Sequence, residues 1–146
     1  MSPPEVVELT AEQTHPLRLA VLRFDTPTKE VVFAEDTWPG AWHLGLRVDS
    51  QLVATSSWVP RDHSGAPAVQ LRGMATARHL QGSGLGGVLL EAGCGRVRAA
   101  GGVLVWARAR DAAVPFYVGH GFVVQGEGFV DEATQLPHHV VVRDLR

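Results

Sequence analysis

A single cysteine, Cys94, stands in a chain of 146 residues. No disulfide can close within the chain, so a reducing, cytoplasmic setting is the expectation. No apolar run is long enough to span a bilayer. The opening stretch, MSPPEVVELTAEQTHP, lacks a basic region ahead of an apolar one, so no signal peptide is read there. Charge of one sign is also missing. The formal net charge is −2 and no run of like charges occurs, which argues against nucleic acid or an anionic membrane as a main partner. The seven histidines show no metal-ligand spacing. His138 and His139 are adjacent and point to opposite sides of a strand, so no metal is expected.

Apolar residues make up 45% of the chain. That is enough for a core, and residues 1–146 suit one domain. Val6 to Leu9 reads as a first strand. Thr10 to Gln13 reads as a capping box, with Thr14 as a second candidate cap because Pro16 sits better in a first turn. Leu17, Val21 and Phe24 then share one helical face, with Arg18 and Arg23 off it. AWHLGLRV and QLVATSSWV form a hairpin about Asp49-Ser50. AVQLRGMAT is another strand, Gly84 to Ala100 a helix, and VLVWA a buried strand. Gly93 and Gly95 weaken that helix, a cost that close packing on a sheet would explain. A short helix runs from Asp111 to His120, and FVVQGEGFV and HHVVVRDL are the last strands. The order β-α-β-β-β-α-β-α-β-β is that of an α/β domain with a mixed sheet.

QGSGLGG, Gln81 to Gly87, admits two phosphate-binding readings. As Gly82-x-Gly84-x-x-Gly87 it fits a dinucleotide fingerprint. As Gln81-x-x-Gly84-x-Gly86 it fits the loop that cradles a coenzyme A pyrophosphate. Both bring backbone N–H groups to phosphate at a helix start. A dinucleotide fold needs its glycines directly after a strand and an acid about twenty residues on. Here the strand ends near Thr76 and the next one ends in Ala107-Arg108, without an acid. The bland reading, glycines that only let a helix pack tightly, competes as well.

LRGMATARHLQGSGLGGVLL resembles motif A of the GNAT N-acetyltransferase family, and FYVGHGF resembles that family's segment after the fifth strand. THPLRLAVLRF is similar to its first helix and WHLGLRV to its second strand. The resemblance covers nearly the whole chain. It implies a mixed, mostly antiparallel sheet of about seven strands with helices on both faces. It further implies transfer of an acetyl group from acetyl-CoA to a primary amine, with no metal. Gln81, Gly82, Ser83, Gly84, Leu85, Gly86 and Gly87 would then meet the pyrophosphate, and the backbone of Met74, Ala75 and Thr76 the pantetheine arm. Tyr117, the only tyrosine, would be the general acid that protonates the leaving thiolate. The same positions in a catalytically silent acyl-CoA-binding module would look alike, and Tyr117 favours the enzyme.

The acceptor amine, a small molecule or a peptide, is not specified by any motif. A group that takes its proton is sought in the C-terminal hairpin, where the resemblance points to His138 and Glu127. Histidine suits that task because it titrates near working pH. Each also has a bland reading, a strand-capping histidine and a solvated glutamate. His43 is a third candidate. Arg108 and Arg110 stand where family members often carry an asparagine near the cofactor, and each reads equally as a surface charge. Cys94 reads as a small buried hydrophobe rather than an acyl carrier. Homodimers are frequent in the family.

Overall fold

The computed structural model describes residues 2–146. All seven strands join one sheet: β1 (Glu5–Leu9), β2 (Trp42–Val48), β3 (Gln51–Pro60), β4 (Val69–Thr76), β5 (Leu104–Arg110), β6 (Val123–Val130) and β7 (Pro137–Asp144). Their order across the sheet is β1-β2-β3-β4-β5-β7-β6. Every neighbouring pair is antiparallel except β4 and β5. Three helices accompany it, α1 (Ala11–Leu17), α2 (Leu85–Ala99) and α3 (Val114–Gly119). The expected order of elements and the mixed, mostly antiparallel sheet are both present. No helix among the described residues is long and apolar enough to cross a membrane.

Local chemistry accounts for the element boundaries. The hairpin of β2 and β3 turns on Asp49 and Ser50, both at positive φ, as a two-residue turn requires to match strand twist. Thr10 accepts from the Gln13 N–H while the Gln13 side chain accepts from the Thr10 N–H, so the capping box forms. Gly121, at φ 83°, lets the chain leave α3.

Alternation along β3 places the helices on opposite faces. Trp58 lies under α2 and is fully buried. Its neighbour Ser57 points the other way and meets Arg18, just past α1. On the α2 face, Leu89 packs with Leu44, Leu46 and Ala54, and Leu90, Cys94 and Val97 join Trp58, Val105, Phe122 and Val141. Cys94 is thus a core residue, as its isolation in the sequence suggested.

The first helix departs from expectation. Thr14 is no cap: it is buried, and its hydroxyl donates to the Ala11 carbonyl. Pro16 lies inside α1, where it has no N–H to give, and the helix widens into a π turn from Arg18 to Leu22. The buried face runs through Thr14 and Arg18, whereas Leu19 and Phe24 are exposed. Leu17, Val21 and Phe24 therefore do not form the inward stripe. A charge displaces them because it finds partners inside, described below.

Gly93 explains itself by contact. A Cβ there would lie 1.8 Å from Trp58 Cζ2, whereas one at Gly95 would meet nothing within 4 Å. Gly93→Ala should therefore lose about 1–3 kcal/mol through overpacking. Gly95→Ala should gain up to about 1 kcal/mol of helix propensity. Urea denaturation of the two variants checks this, and shifts of the same sign would contradict it.

Candidate active site

The site begins where the sheet opens. β4 and β5 pair only at Val69–Val105 and Gln70–Trp106. Beyond that the two strands part. On its other side β4 carries an irregularity against β3 between the Arg72–Ser57 and Ala75–Thr55 pairs, and Gly73 inside it has φ +61°. A side chain at Gly73 would strike Arg18, whose Nε lies 2.9 Å from the Cβ position. The far half of β4, including Met74, Ala75 and Thr76, thus presents backbone to a cleft with no ladder partner from β5.

One branch of the cleft is a cavity of about 900 Å³. Gln81, Gly82, Gly84, Gly86 and Gly87 line it together with Met74, Ala75 and Thr76. Gly82 and Gly84 sit at φ +80° and +88° with open space around them, so the turn itself demands glycine. Gln81 donates from its side chain to the Thr76 carbonyl (3.0 Å), which ties the loop to β4. The first helical bond of α2 runs from the Val88 N–H to the Gly84 carbonyl. The N–H groups of Leu85, Gly86 and Gly87 therefore precede any helical acceptor and are free for a ligand. Ser83 and Leu85 belong to the loop without lining the cavity; Leu85 is buried in the core. Arg78, stacked 3.3 Å over the Phe24 ring, adds a positive charge.

The second branch is a smaller cavity of about 300 Å³. Tyr117 lines both branches, as do Met74 and Arg110. The tyrosine is buried between Phe116 and Phe122, each edge-on to it. Its hydroxyl makes no hydrogen bond among the described residues. Burial, with Cys94 nearby, pushes the phenol well above its ordinary range, so the proton stays on at neutral pH. Burial also pushes the Cys94 thiol up, to about 11, which keeps it from acting as a nucleophile.

The sequence candidates separate here. His138 lines the smaller cavity with Tyr117. Its Nδ1 donates to the Leu136 carbonyl at 2.9 Å. A carbonyl only accepts, so in the neutral ring Nε2 carries the lone pair. Glu127 is exposed on β6 and lines neither cavity. His139 faces outward and meets Asp111 at 2.6 Å. His43 is committed elsewhere: both of its nitrogens are engaged, by Ser57 Oγ (2.7 Å) and the Asp36 carbonyl (3.3 Å). Arg110 lines both branches, and Arg108 only the smaller one.

The sequence reading missed Glu35, Arg61, Arg72 and Asp131, which also line the smaller cavity. A signal existed in Gln70 and Arg72, polar residues two apart on a strand that is otherwise apolar as far as Ala75. The alternation Ala107-Arg108-Ala109-Arg110 was another.

The Acetyltransferase (GNAT) family model matches residues 7–122. The chain belongs to the GNAT acetyltransferase family. Over 141 residues it is 28% identical to the uncharacterized N-acetyltransferase YitI of Bacillus subtilis strain 168, spanning 94% of this chain and 93% of that one. The fold is similar to Escherichia coli ElaA, with a TM-score of 0.79, 18% identity, and 97% and 99% of the two chains covered. It is likewise similar to a GNAT acetyltransferase from Elizabethkingia anophelis solved with acetyl-CoA bound, with a TM-score of 0.73, 14% identity, and 99% and 100% covered.

In this acetyltransferase a buried ion pair supports the cleft. Arg18 is fully buried and bidentate to Asp36, at 2.7 and 2.8 Å. It also donates to the Val31 carbonyl and to Ser57 Oγ. Burial alone would raise the Asp36 carboxyl, but the hydrogen bonds and charge of Arg18 outweigh it and hold it below the ordinary carboxylate range. A depressed folded value means the stabilisation is complete above the unfolded carboxylate range near pH 4 and is lost as pH falls through the folded value. Asp36→Asn should cost about 3–5 kcal/mol at pH 7, because a buried guanidinium loses its counter-charge. The gap between wild type and variant should narrow at pH 3. Urea titrations at the two pH values check this, and an unchanged gap would contradict it.

Proposed function

We propose that this chain transfers an acetyl group from acetyl-CoA to a primary amine. One observation carries the reading: Tyr117 stands where a glycine-lined cavity meets a second, polar one. The larger branch fits coenzyme A on its own chemistry. Free N–H groups at the start of α2 suit a pyrophosphate. The unpaired backbone of Met74, Ala75 and Thr76 suits an extended amide-bearing arm. A Cβ at Gly86 would sit 3.1 Å from Thr76 Oγ1, so the missing side chain keeps the groove open. The acetyl-CoA bound to the Elizabethkingia relative supports the same choice.

Acetyl-CoA supplies an activated acetyl thioester. The chain's own residues then have three tasks. Backbone N–H groups at the irregularity of β4 offer hydrogen bonds to an oxygen that gains charge. Tyr117 holds a proton at Oη and gives it to a departing thiolate. The surroundings that disfavour a phenolate disfavour a thiolate too, so the raised phenol is not a handicap. His138 Nε2 takes the proton that the amine gives up, directly or through water. A lone, buried thiol is in keeping with a reducing, cytoplasmic setting.

Calorimetry should detect acetyl-CoA binding and no binding of NAD(P)H. Gly84→Glu should abolish it, since a carboxylate would occupy the phosphate position. Tyr117→Phe should lower kcat about 10²-fold or more while leaving acetyl-CoA affinity near wild type. An unchanged kcat would return Tyr117 to a packing role. With an acceptor in hand, kcat/KM against pH should show an ascending limb that His138→Ala removes or shifts. Full activity and an identical profile in that variant would eliminate His138.

A further inference from the structure

The smaller cavity has an unusual charge balance for an amine site. Arg23, Arg61, Arg72, Arg108 and Arg110 all line it, against two carboxylates, Glu35 and Asp131. Glu35 is shared by Arg61 at 3.5 Å and by Arg72 in a closer pair. Asp131 stands 3.8 Å from Arg108. Arg110 finds Asp25 from the larger branch at 3.5 Å. Arg23 pairs with no acid among the described residues and donates instead to the carbonyls of Glu30 and Leu22. With Asp25 included, five guanidiniums face three carboxylates, and two positive charges stay unmatched.

These guanidiniums are built into place. Arg23 and Arg72 lie over one Phe33 ring, at 5.5 and 4.5 Å from its centroid. Arg61 stacks 4.6 Å over Trp38 and donates to Gln70 at 2.9 Å. Arg108 stacks 4.9 Å over Phe129. Such stacking fixes a planar fork before any ligand arrives. Donors remain available as well. Among the described residues Arg72 donates only to Glu35, through one of its two terminal nitrogens. Burial, and for Arg23 also the charges of Arg110 and Arg72, lowers the Arg23 and Arg72 guanidiniums from their ordinary value. An anion would relieve that strain.

We propose that the acceptor is a small amine that also carries an anionic group, a carboxylate or a phosphate, gripped by Arg72, Arg61 and Arg23. The amine half rests on the acetyl-transfer reading above. The anion half rests on the cavity alone. Arg72 precedes Met74 by two residues on β4, a span of about 6–7 Å. Met74 and Tyr117 mark the junction with the larger branch. An amine at the junction and an anion at Arg72 are therefore a few bonds apart in one molecule, and the cavity of about 300 Å³ holds little more.

The test uses matched pairs: alanine with alaninamide, β-alanine with β-alaninamide, and phosphoethanolamine with ethanolamine. Thiol release from acetyl-CoA gives kcat/KM for each. The acidic member of at least one pair should lead by about tenfold or more, mainly through KM, as loss of a hydrogen bond to a charged group implies. The amides' amines are the less basic and more often unprotonated, so intrinsic reactivity cannot produce that preference. The first two pairs report on a carboxylate and the third on a phosphate. Arg72→Met, which keeps an unbranched apolar stem and removes the guanidinium, should erase the lead. Arg146→Met, remote from both cavities, should leave it intact. If Arg72→Met does not fold, Arg61→Met carries the same expectation. Neutral amines used as well as or better than acidic ones would overturn the proposal while leaving acetyl transfer standing. If no pair is turned over, NMR titration of the wild-type protein with the same six compounds decides. Shifts at cavity residues with acidic members only would uphold the anion site, and no selective shift would overturn it. Failure to bind acetyl-CoA would instead count against the transferase reading.

Discussion

Strands β4 and β5 stay together for only two residue pairs, and nearly everything functional follows from their parting. A parallel pair that continued would satisfy its own backbone and leave no room for a ligand. Here β4 turns away at Gly73, whose left-handed backbone is kept free of a side chain by Arg18 behind it. Arg18 can occupy that place because Asp36, Ser57 and the Val31 carbonyl meet its charge. The buried ion pair is therefore less a source of stability than a fixed prop behind the irregularity of β4. Its desolvation cost is large, and a well-packed apolar set could match it energetically. A guanidinium held at several fixed points, however, keeps one position.

The two branches of the cleft divide the work by chemistry. The larger one offers backbone N–H groups and glycine-made space, with few side-chain charges. The smaller one offers side-chain charge in abundance, ordered by aromatic rings. Tyr117 borders both while making no side-chain hydrogen bond among the described residues. A phenol so placed is kept neutral by burial and left with its donor unspent.

Sequence reasoning reached the features whose cause is local. The Asp49-Ser50 turn, the Thr10–Gln13 box, the strand alternation and the glycine loop each depend on neighbours a few residues away. The rule that a glycine in a helix demands a reason reached the notch at Gly93 and failed at Gly95, where a side chain would meet open space. Sequence reasoning failed where the cause is distant. Arg18 looked solvent-facing because Asp36 and Ser57, its partners, are 18 and 39 residues away. The smaller cavity draws Glu35, Arg72, Asp131 and His138 from separate elements, and no periodicity announces such a meeting. His138 was legible as a residue type in a suitable hairpin, and Glu127 by the same logic. What separates them is that His138 lines the smaller cavity, whereas Glu127 is exposed within a register irregularity between Gln125 and Phe129.

The indole of Trp58 sits in the hollow at Gly93 like a pin in a detent. A helix lying on a sheet can otherwise slide along its axis at small cost, since apolar contact is non-directional. This one is indexed. Nine residues separate the hollow from Gly84, about 13 Å of rigid helix. Any axial slip at the tryptophan would appear undiminished at the amino end of α2, where free N–H groups face the cleft. Displacements of about 1 Å are enough to spoil an aligned reaction. The glycine deep in the core thus sets the tolerance to which the distant loop is machined.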